Sequence, residues 1–160
     1  LKYIDLTDYE RKYASLVFNN ILGGSWNSKL TQNVREKHSL CYYANSVRQI
    51  TFGVSFISAG IDFSNFEKTT ELIKQQLEAM ANGDFEESDL RQVKNIYNNA
   101  LIDIEDNQFA ILDNVVSQVF SDNDSIEKRR ENMEKVTKED VVSVAKKIHL
   151  DTIFLLKGGE

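Results

Sequence analysis

The order of the predicted elements indicates an α+β fold in two layers, with helices packed mainly on one face of a mixed or antiparallel sheet. Two helices come first, two strands follow with a connection of two or three residues, and several helices precede a closing strand. Strands and helices do not alternate strictly, as they would around a parallel α/β sheet.

The first element is predicted to be a helix over residues 8–22. Thr7 and Glu10 have the spacing of a capping box, and apolar side chains recur at helical spacing until Gly23-Gly24 ends the run. Ser28 is the candidate cap of a short second helix that extends to Lys37.

Residues 42–48 and 51–59 are predicted to be the two strands of an antiparallel hairpin. Both segments are rich in β-branched and aromatic residues, and the short connection favours antiparallel pairing. Ser64 and Glu67 repeat the capping-box spacing and predict a helix over residues 65–82.

Helical periodicity continues through the second half of the chain. It extends over residues 86–120, with a break expected at Asp106-Asn107. A last helix, capped by Thr137, is predicted to end near His149, and residues 152–156 are predicted to form the terminal strand.

Composition restricts the class of partner. The 160 residues fit one globular domain, and the net charge of -6 argues against nucleic acid or an anionic membrane surface as the main partner.

No apolar stretch approaches the roughly 18 residues of a membrane-spanning helix. The chain begins at Leu1 rather than at a methionine, and we expect residues 1–160 to be a single domain excised from a longer protein.

The histidines do not predict a metal site in this chain. His38 and His149 are the only two, they are 111 positions apart, and a catalytic zinc site needs about three protein ligands. We interpret His149 as a cation near the negative end of a helix dipole and His38 as a surface or packing residue.

Cys41 is the only cysteine, so this chain alone forms no internal disulfide and no cysteine-based zinc site. This usage fits a reducing compartment, and we expect a cytoplasmic location. A thiol enzyme that uses Cys41 with His38 is an alternative, but a cysteine buried in a strand is the favoured interpretation.

Arg35 and Tyr42 are the candidate functional side chains. Arg35 lies on the predicted short helix and Tyr42 at the start of the next strand, so a tight turn is able to aim both at one point. A guanidinium and a phenol are strong donors to a peptide carbonyl or a developing oxyanion. From composition alone, a structural salt bridge for Arg35 and a core position for Tyr42 remain open.

The surrounding segment resembles the C-terminal-type, non-zinc-binding domain of the pitrilysin/insulinase family of zinc metallopeptidases. The family pattern has Leu-Gly-Gly, then Ser-x-Leu, then Val-Arg-Glu-Lys-x-x-Leu-x-Tyr. The matching residues here are Leu22-Gly23-Gly24, Ser28-Lys29-Leu30, and Val34-Arg35-Glu36-Lys37 leading to Leu40 and Tyr42.

The resemblance implies a part of a larger peptidase. In this family, four α+β domains enclose a chamber for unfolded peptide, and a His-x-x-Glu-His motif in another domain carries the zinc. It implies that Arg35 binds the substrate backbone and that Tyr42 donates to the scissile carbonyl. No cofactor is expected in this chain, zinc is expected in a companion domain or subunit, and unfolded peptide is the expected substrate.

Three functional hypotheses follow. In the first, the domain completes the active site of a zinc-dependent endopeptidase. In the second, it belongs to an inactive, non-peptidase partner subunit with an interaction or scaffolding role. The third, which does not rest on the resemblance, is an unrelated α+β binding domain.

Overall fold

The sheet in the computed structural model has four strands in the order β2-β3-β1-β4, and every neighbouring pair is antiparallel. The structure describes residues 1–120 and 123–157. The α+β prediction is confirmed, with the antiparallel form of the sheet. The strands are β1 (Lys2–Tyr3), β2 (Cys41–Gln49), β3 (Val54–Ile61) and β4 (Ile148–His149).

Helix α1 consists of three consecutive segments, Glu10–Ala14, Ser15–Asn19 and Asn20–Gly24, of which the outer two have π-type turns. A short π-type helix over Thr31–Glu36, here called the motif helix, precedes β2. The other helices are α2 (Phe66–Ala81), α3 (Glu87–Glu105), α4 (Gln108–Phe120), α5 (Ile126–Lys135) and α6 (Lys138–Lys146). None of the helices in the described ranges is both long and apolar enough to cross a bilayer.

The core lies between α1 and one face of the sheet. Along β2 the side chains of Ala44 and Ser46 are buried, whereas those of Asn45 and Val47 are exposed on the opposite face. This alternation is the period-2 pattern of a sheet with one covered face. The largest completely buried side chains include Phe18, Leu22, Leu30, Met80, Leu101 and Met133.

Gly23 allows α1 to touch β2 closely. A Cβ atom at Gly23 would lie 2.7 Å from the backbone nitrogen of Ser46 and 2.9 Å from its Cβ. Beside this contact, the amide of Asn19 donates to the Ser46 carbonyl (3.2 Å), and Ser46 Oγ donates to Asn19 Oδ1 (2.7 Å). The glycine predicted as a stop signal therefore also sets the position of β2 against α1.

One of the two predicted capping boxes forms, and the predicted cap at Thr137 is present as a further box. Thr7 and Glu10 exchange side-chain to backbone bonds at the start of α1, and Thr137 does the same with Asp140 before α6. The box at Ser64 is wrong, because Ser64 lies in a short 3-10 turn and Asn65, without a side-chain cap bond, precedes α2.

The predicted terminal strand over residues 152–156 is wrong, because that segment has no regular secondary structure. The last strand is β4, where Ile148 pairs with Tyr3 and His149 pairs with Lys2. Helix α6 ends at Lys146, three residues before His149, because residues 148 and 149 pair with β1. His149 therefore lies in β4, two residues beyond Lys147, the C-terminal cap of α6, and its interpretation as a cation near a helix end stays a prediction.

Candidate active site

Tyr42 projects from an irregularity at the start of β2. Cys41 pairs with Ile61 and Tyr43 pairs with Gly60, so Tyr42 is an extra residue without a partner in β3. Such a bulge redirects a side chain and is common beside active sites. The Tyr42 side chain is 72% exposed, so the core position considered from composition is wrong.

Tyr43 holds the register next to the bulge. A Cβ atom at Gly60 would lie 2.5 Å from Cε1 of the Tyr43 ring, which shows that the ring covers this glycine. An aromatic side chain over a cross-strand glycine is a known means of fixing strand register. The contact between Tyr43 and Gly60 thus fixes the position of the bulge that turns Tyr42 outward.

The Tyr42 hydroxyl donates to Asp62 Oδ1 over 3.3 Å, which is long for an O–H···O hydrogen bond. Both residues are exposed, and Asp62 directly follows β3. The phenol is therefore held weakly at the surface and is free to exchange its acceptor. Sequence reasoning missed Asp62, because the predicted strand over residues 51–59 ends three residues before it, whereas β3 extends to Ile61.

Arg35 is exposed in the last turn of the motif helix. The helix ends in a π-type turn, in which the Lys37 N–H donates to the carbonyl of Gln32, five residues earlier, at 3.0 Å. The Arg35 carbonyl accepts from the Ser39 N–H at 2.9 Å, and Ser39 has a left-handed φ of 51°. This turn redirects the chain from the helix into β2.

The charge of Arg35 acts at the start of β2. Burial raises the pKa of the half-buried Cys41 thiol, and the positive charge of Arg35 opposes that shift. Arg35 and Tyr42 therefore flank the same short connection, with the guanidinium close enough to act on the residue before Tyr42. Arg35 forms none of the ion pairs found among the described residues, which does not support a structural salt bridge.

The elevated pKa of Cys41 does not favour a nucleophile, because the thiolate is the reactive form. No group of three or more histidine, cysteine, aspartate or glutamate side chains in residues 1–120 and 123–157 is arranged to hold a metal ion. The donor set described here therefore does not fit a zinc ion. The arrangement at Arg35 and Tyr42 is a pair of exposed hydrogen-bond donors.

Comparisons with known proteins show the family of the chain. Residues 2–97, which include Arg35 and Tyr42, match the family model described as the peptidase M16 inactive domain. A curated relative from Bacillus subtilis, the probable inactive metalloprotease YmfF, is 39% identical over 157 residues. The match covers 97% of this chain but only 37% of that relative's length.

Solved structures show the same fold. A conserved protein from Enterococcus faecalis matches with a TM-score of 0.79 and 32% identity, over 88% of this chain and 33% of that one. A peptidase M16 inactive domain from Pseudomonas fluorescens matches with a TM-score of 0.73 and 20% identity, over 91% of this chain and 35% of that one. With a family model that covers more than half of its residues, the chain belongs to the family of inactive domains of the pitrilysin-like M16 metallopeptidases.

Proposed function

We propose that this domain completes the active site of a zinc-dependent endopeptidase by binding the peptide, while a companion domain or subunit with a His-x-x-Glu-His motif holds the zinc. The observation that carries the proposal is the exposure of two donors, Arg35 and Tyr42, on either side of one short connection. The bulge that turns Tyr42 outward supports a role in contacts beyond this domain.

The chemistry required of each side chain is limited. Tyr42 would release Asp62 and donate its proton in a hydrogen bond to the scissile carbonyl oxygen, where negative charge develops in the transition state. Arg35 would donate to a main-chain carbonyl of the substrate and fix its position. Removal of one oxyanion donor typically lowers turnover by about 100-fold to 1000-fold.

A second candidate function is that of a partner subunit without peptidase activity. The observation that favours it is the description of the Bacillus subtilis relative as a probable inactive metalloprotease. A protein of this kind would pair with a catalytic subunit or hold a peptide through the same exposed donors. The presence or absence of the zinc motif in the parent protein and its companion separates the two candidates.

The test measures cleavage of a quenched fluorescent peptide by the parent protein together with its companion. We expect Tyr42→Phe to lower kcat by about 100-fold and Arg35→Ala to lower kcat/KM by one order of magnitude or more, at constant zinc content. Tyr43→Phe and Arg91→Ala are matched controls, because both side chains are exposed and neither is assigned a role in peptide binding.

Normal cleavage by both variants would refute the assigned roles. A wild-type protein that neither cleaves the peptide nor binds zinc would instead favour the partner function. In that case a peptide-binding assay with the same variants shows whether Arg35 and Tyr42 still contact the peptide.

A further inference from the structure

A small cavity lies at the other end of β2 from Tyr42. Its walls include Tyr3, Leu6, Ser15, Arg48 and Ile50, and its volume is about 160 Å³. Arg48 follows Tyr42 by six residues along the strand, which corresponds to about 20 Å. The cavity is therefore separate from the candidate active site.

The guanidinium of Arg48 is only partly satisfied by the protein. Nη1 donates to the carbonyl of Arg11 (2.7 Å) and to Ser15 Oγ (2.8 Å), with a longer contact to the Lys12 carbonyl (3.5 Å). A guanidinium has five N–H donors, and all of these bonds use one nitrogen. Across the described residues, the donors on Nε and Nη2 have no protein acceptor.

The charge of Arg48 is also not neutralised within the described part of the chain. None of the ion pairs there includes Arg48. Burial lowers the pKa of its guanidinium; the neighbouring Tyr3 and Tyr97 oppose this shift, and the positive charge of Arg11 adds to it. Arg48 is half-buried in the cavity wall, so an anion that enters the cavity would meet a cation that has no anionic partner among the described residues.

The shape and lining of the cavity restrict the anion. Leu6, Ile50 and Tyr3 line the cavity together with Arg48 and Arg11, so apolar side chains and cations share its walls. A cavity of about 150 Å³ is known to hold a molecule the size of benzene, so this one has room for about four to six heavy atoms. A carboxylate matches the planar donor fork of a guanidinium, and a short alkyl stem matches the walls.

We propose that this cavity binds a single carboxylate carried on a short apolar stem, with Arg48 as the residue that binds the charge. The group is supplied by a free short-chain acid or by an acidic side chain of a bound peptide. The site does not depend on the peptidase function proposed above, because neither Arg35 nor Tyr42 belongs to it.

The test is an NMR titration of the isotopically labelled 160-residue chain with butyrate and with butyramide, its neutral isostere. We expect butyrate to shift the Arg48 Nε–H signal and the amide signals of Ser15 and of Gly53, which also lines the cavity, in a saturable way. Binding of butyramide should be at least tenfold weaker. Arg48→Gln should abolish the preference, whereas Arg91→Gln, at an exposed position on α3, should retain it.

Arg48 also donates hydrogen bonds to two carbonyl oxygens of α1, so Arg48→Gln is expected to lower the free energy of unfolding. Arg48→Lys provides a second variant, which keeps the charge without the fork and should bind butyrate less tightly while still preferring it over butyramide. The comparison of the two ligands on the wild-type chain needs no variant. Equal shifts with both ligands, no saturable shift with butyrate, or an unchanged preference in folded Arg48→Gln would each overturn the proposal.

A second arm separates the two sources of the carboxylate. Blocked peptides that differ only in one Glu or Gln are titrated in the same way. Tighter binding of the Glu peptide than of butyrate assigns the site to a peptide side chain, whereas tighter binding of butyrate assigns it to a free acid. If the Glu and Gln peptides bind equally while butyrate binds at Arg48, the free acid is again the ligand.

Discussion

Glu10 is a buried carboxylate that connects the start of α1 to the end of α6. Its oxygens accept from Lys147 Nζ (2.7 Å to each), from Ser143 Oγ (2.8 Å) and from the Thr7 N–H (2.8 Å). Burial raises the pKa of Glu10, but the bonds from these groups outweigh it and bring the pKa to about 2. The ionised form is therefore the one that the fold stabilises.

This shift predicts a pH-dependent effect of Glu10→Gln. The folded-state pKa of Glu10 is below the ordinary value of 4.5, so its contribution to stability is complete above pH 4.5 and is lost as the pH falls towards 2. At pH 7 we expect the free energy of unfolding to decrease by roughly 2 to 3 kcal/mol. Denaturant titrations of both proteins at pH 7 and near pH 3 measure the difference.

Glu78→Gln is the control for Glu10→Gln, because Glu78 is exposed on α2. Its effect should stay within about 0.5 kcal/mol at either pH. If the loss caused by Glu10→Gln were as large near pH 3 as at pH 7, the charge of Glu10 would not be its source.

At the scale of elements, two glycines with left-handed backbones end a helix and a turn. Gly83 (φ 74°) follows α2, where its N–H donates to the Met80 carbonyl and the Asp84 N–H donates to that of Ala79. Gly53 (φ 63°) follows the short turn between β2 and β3. Substitution by alanine places a side chain in a conformation that costs about 1 to 2 kcal/mol for an L-residue.

Gly53→Ala and Gly83→Ala form a matched pair. An added Cβ at Gly53 meets no atom within 4 Å, whereas at Gly83 it lies 3.3 Å from Cγ2 of Val142. We expect both to lower the free energy of unfolding by about 1 kcal/mol, or about 2 to 4 °C in Tm, with the larger loss at Gly83. Calorimetry measures the two losses, and an unchanged Tm for Gly53→Ala would show that its φ is not costly.

Long periodic elements were predictable from the sequence, and very short strands were not. The hairpin predicted over 42–48 and 51–59 is present as β2 and β3, and the break near Asp106-Asn107 separates α3 from α4. Strands β1 and β4 have two residues each, which is too short to show an alternating pattern. Their existence depends on pairing between the two ends of the chain, which local sequence does not encode.

The sequence names Arg35 and Tyr42 as candidate site residues, and their functional roles stay predictions, whereas their geometry was not predictable. Arg35 and Tyr42 were identified through a motif and donor chemistry. The bulge at Tyr42 adds one residue to one strand, and that residue has no signature in hydrophobic periodicity. The cavity at Arg48 was also missed, because an arginine in a strand indicates nothing about whether its charge is paired.

On the scale of the whole molecule, α4 is the element that does not fit a self-sufficient domain. It has no buried residue, although most of its side chains are apolar. Six of its apolar side chains are more than half exposed: Phe109, Leu112, Val115, Val116, Val119 and Phe120. A contiguous apolar surface of this kind normally marks an interaction site, and the matched relatives are proteins more than twice as long.

We expect the 160-residue chain to self-associate through α4 as its concentration rises, because burial of these side chains removes apolar surface from water. Sedimentation velocity should show a monomer of 18.4 kDa at low concentration and a growing dimer or oligomer fraction at high concentration. The double variant Leu112→Glu, Val116→Glu places two like charges one turn apart on α4 and should remain monomeric, while the repulsion between the two charges lowers helix stability by only about 0.2 to 0.5 kcal/mol.

The matched control for this variant is Val47→Glu, Phe52→Glu, which adds the same charges at exposed apolar positions of the hairpin instead of α4. If association depends on α4, the control should associate like the wild type, because it leaves the apolar side chains of α4 unchanged. Equal loss of association in both variants would mean that net charge rather than the α4 surface governs it. A wild-type chain that stays monomeric at every concentration would show that the exposed face of α4 does not drive self-association. The exposure of the apolar side chains of α4 would then need another explanation.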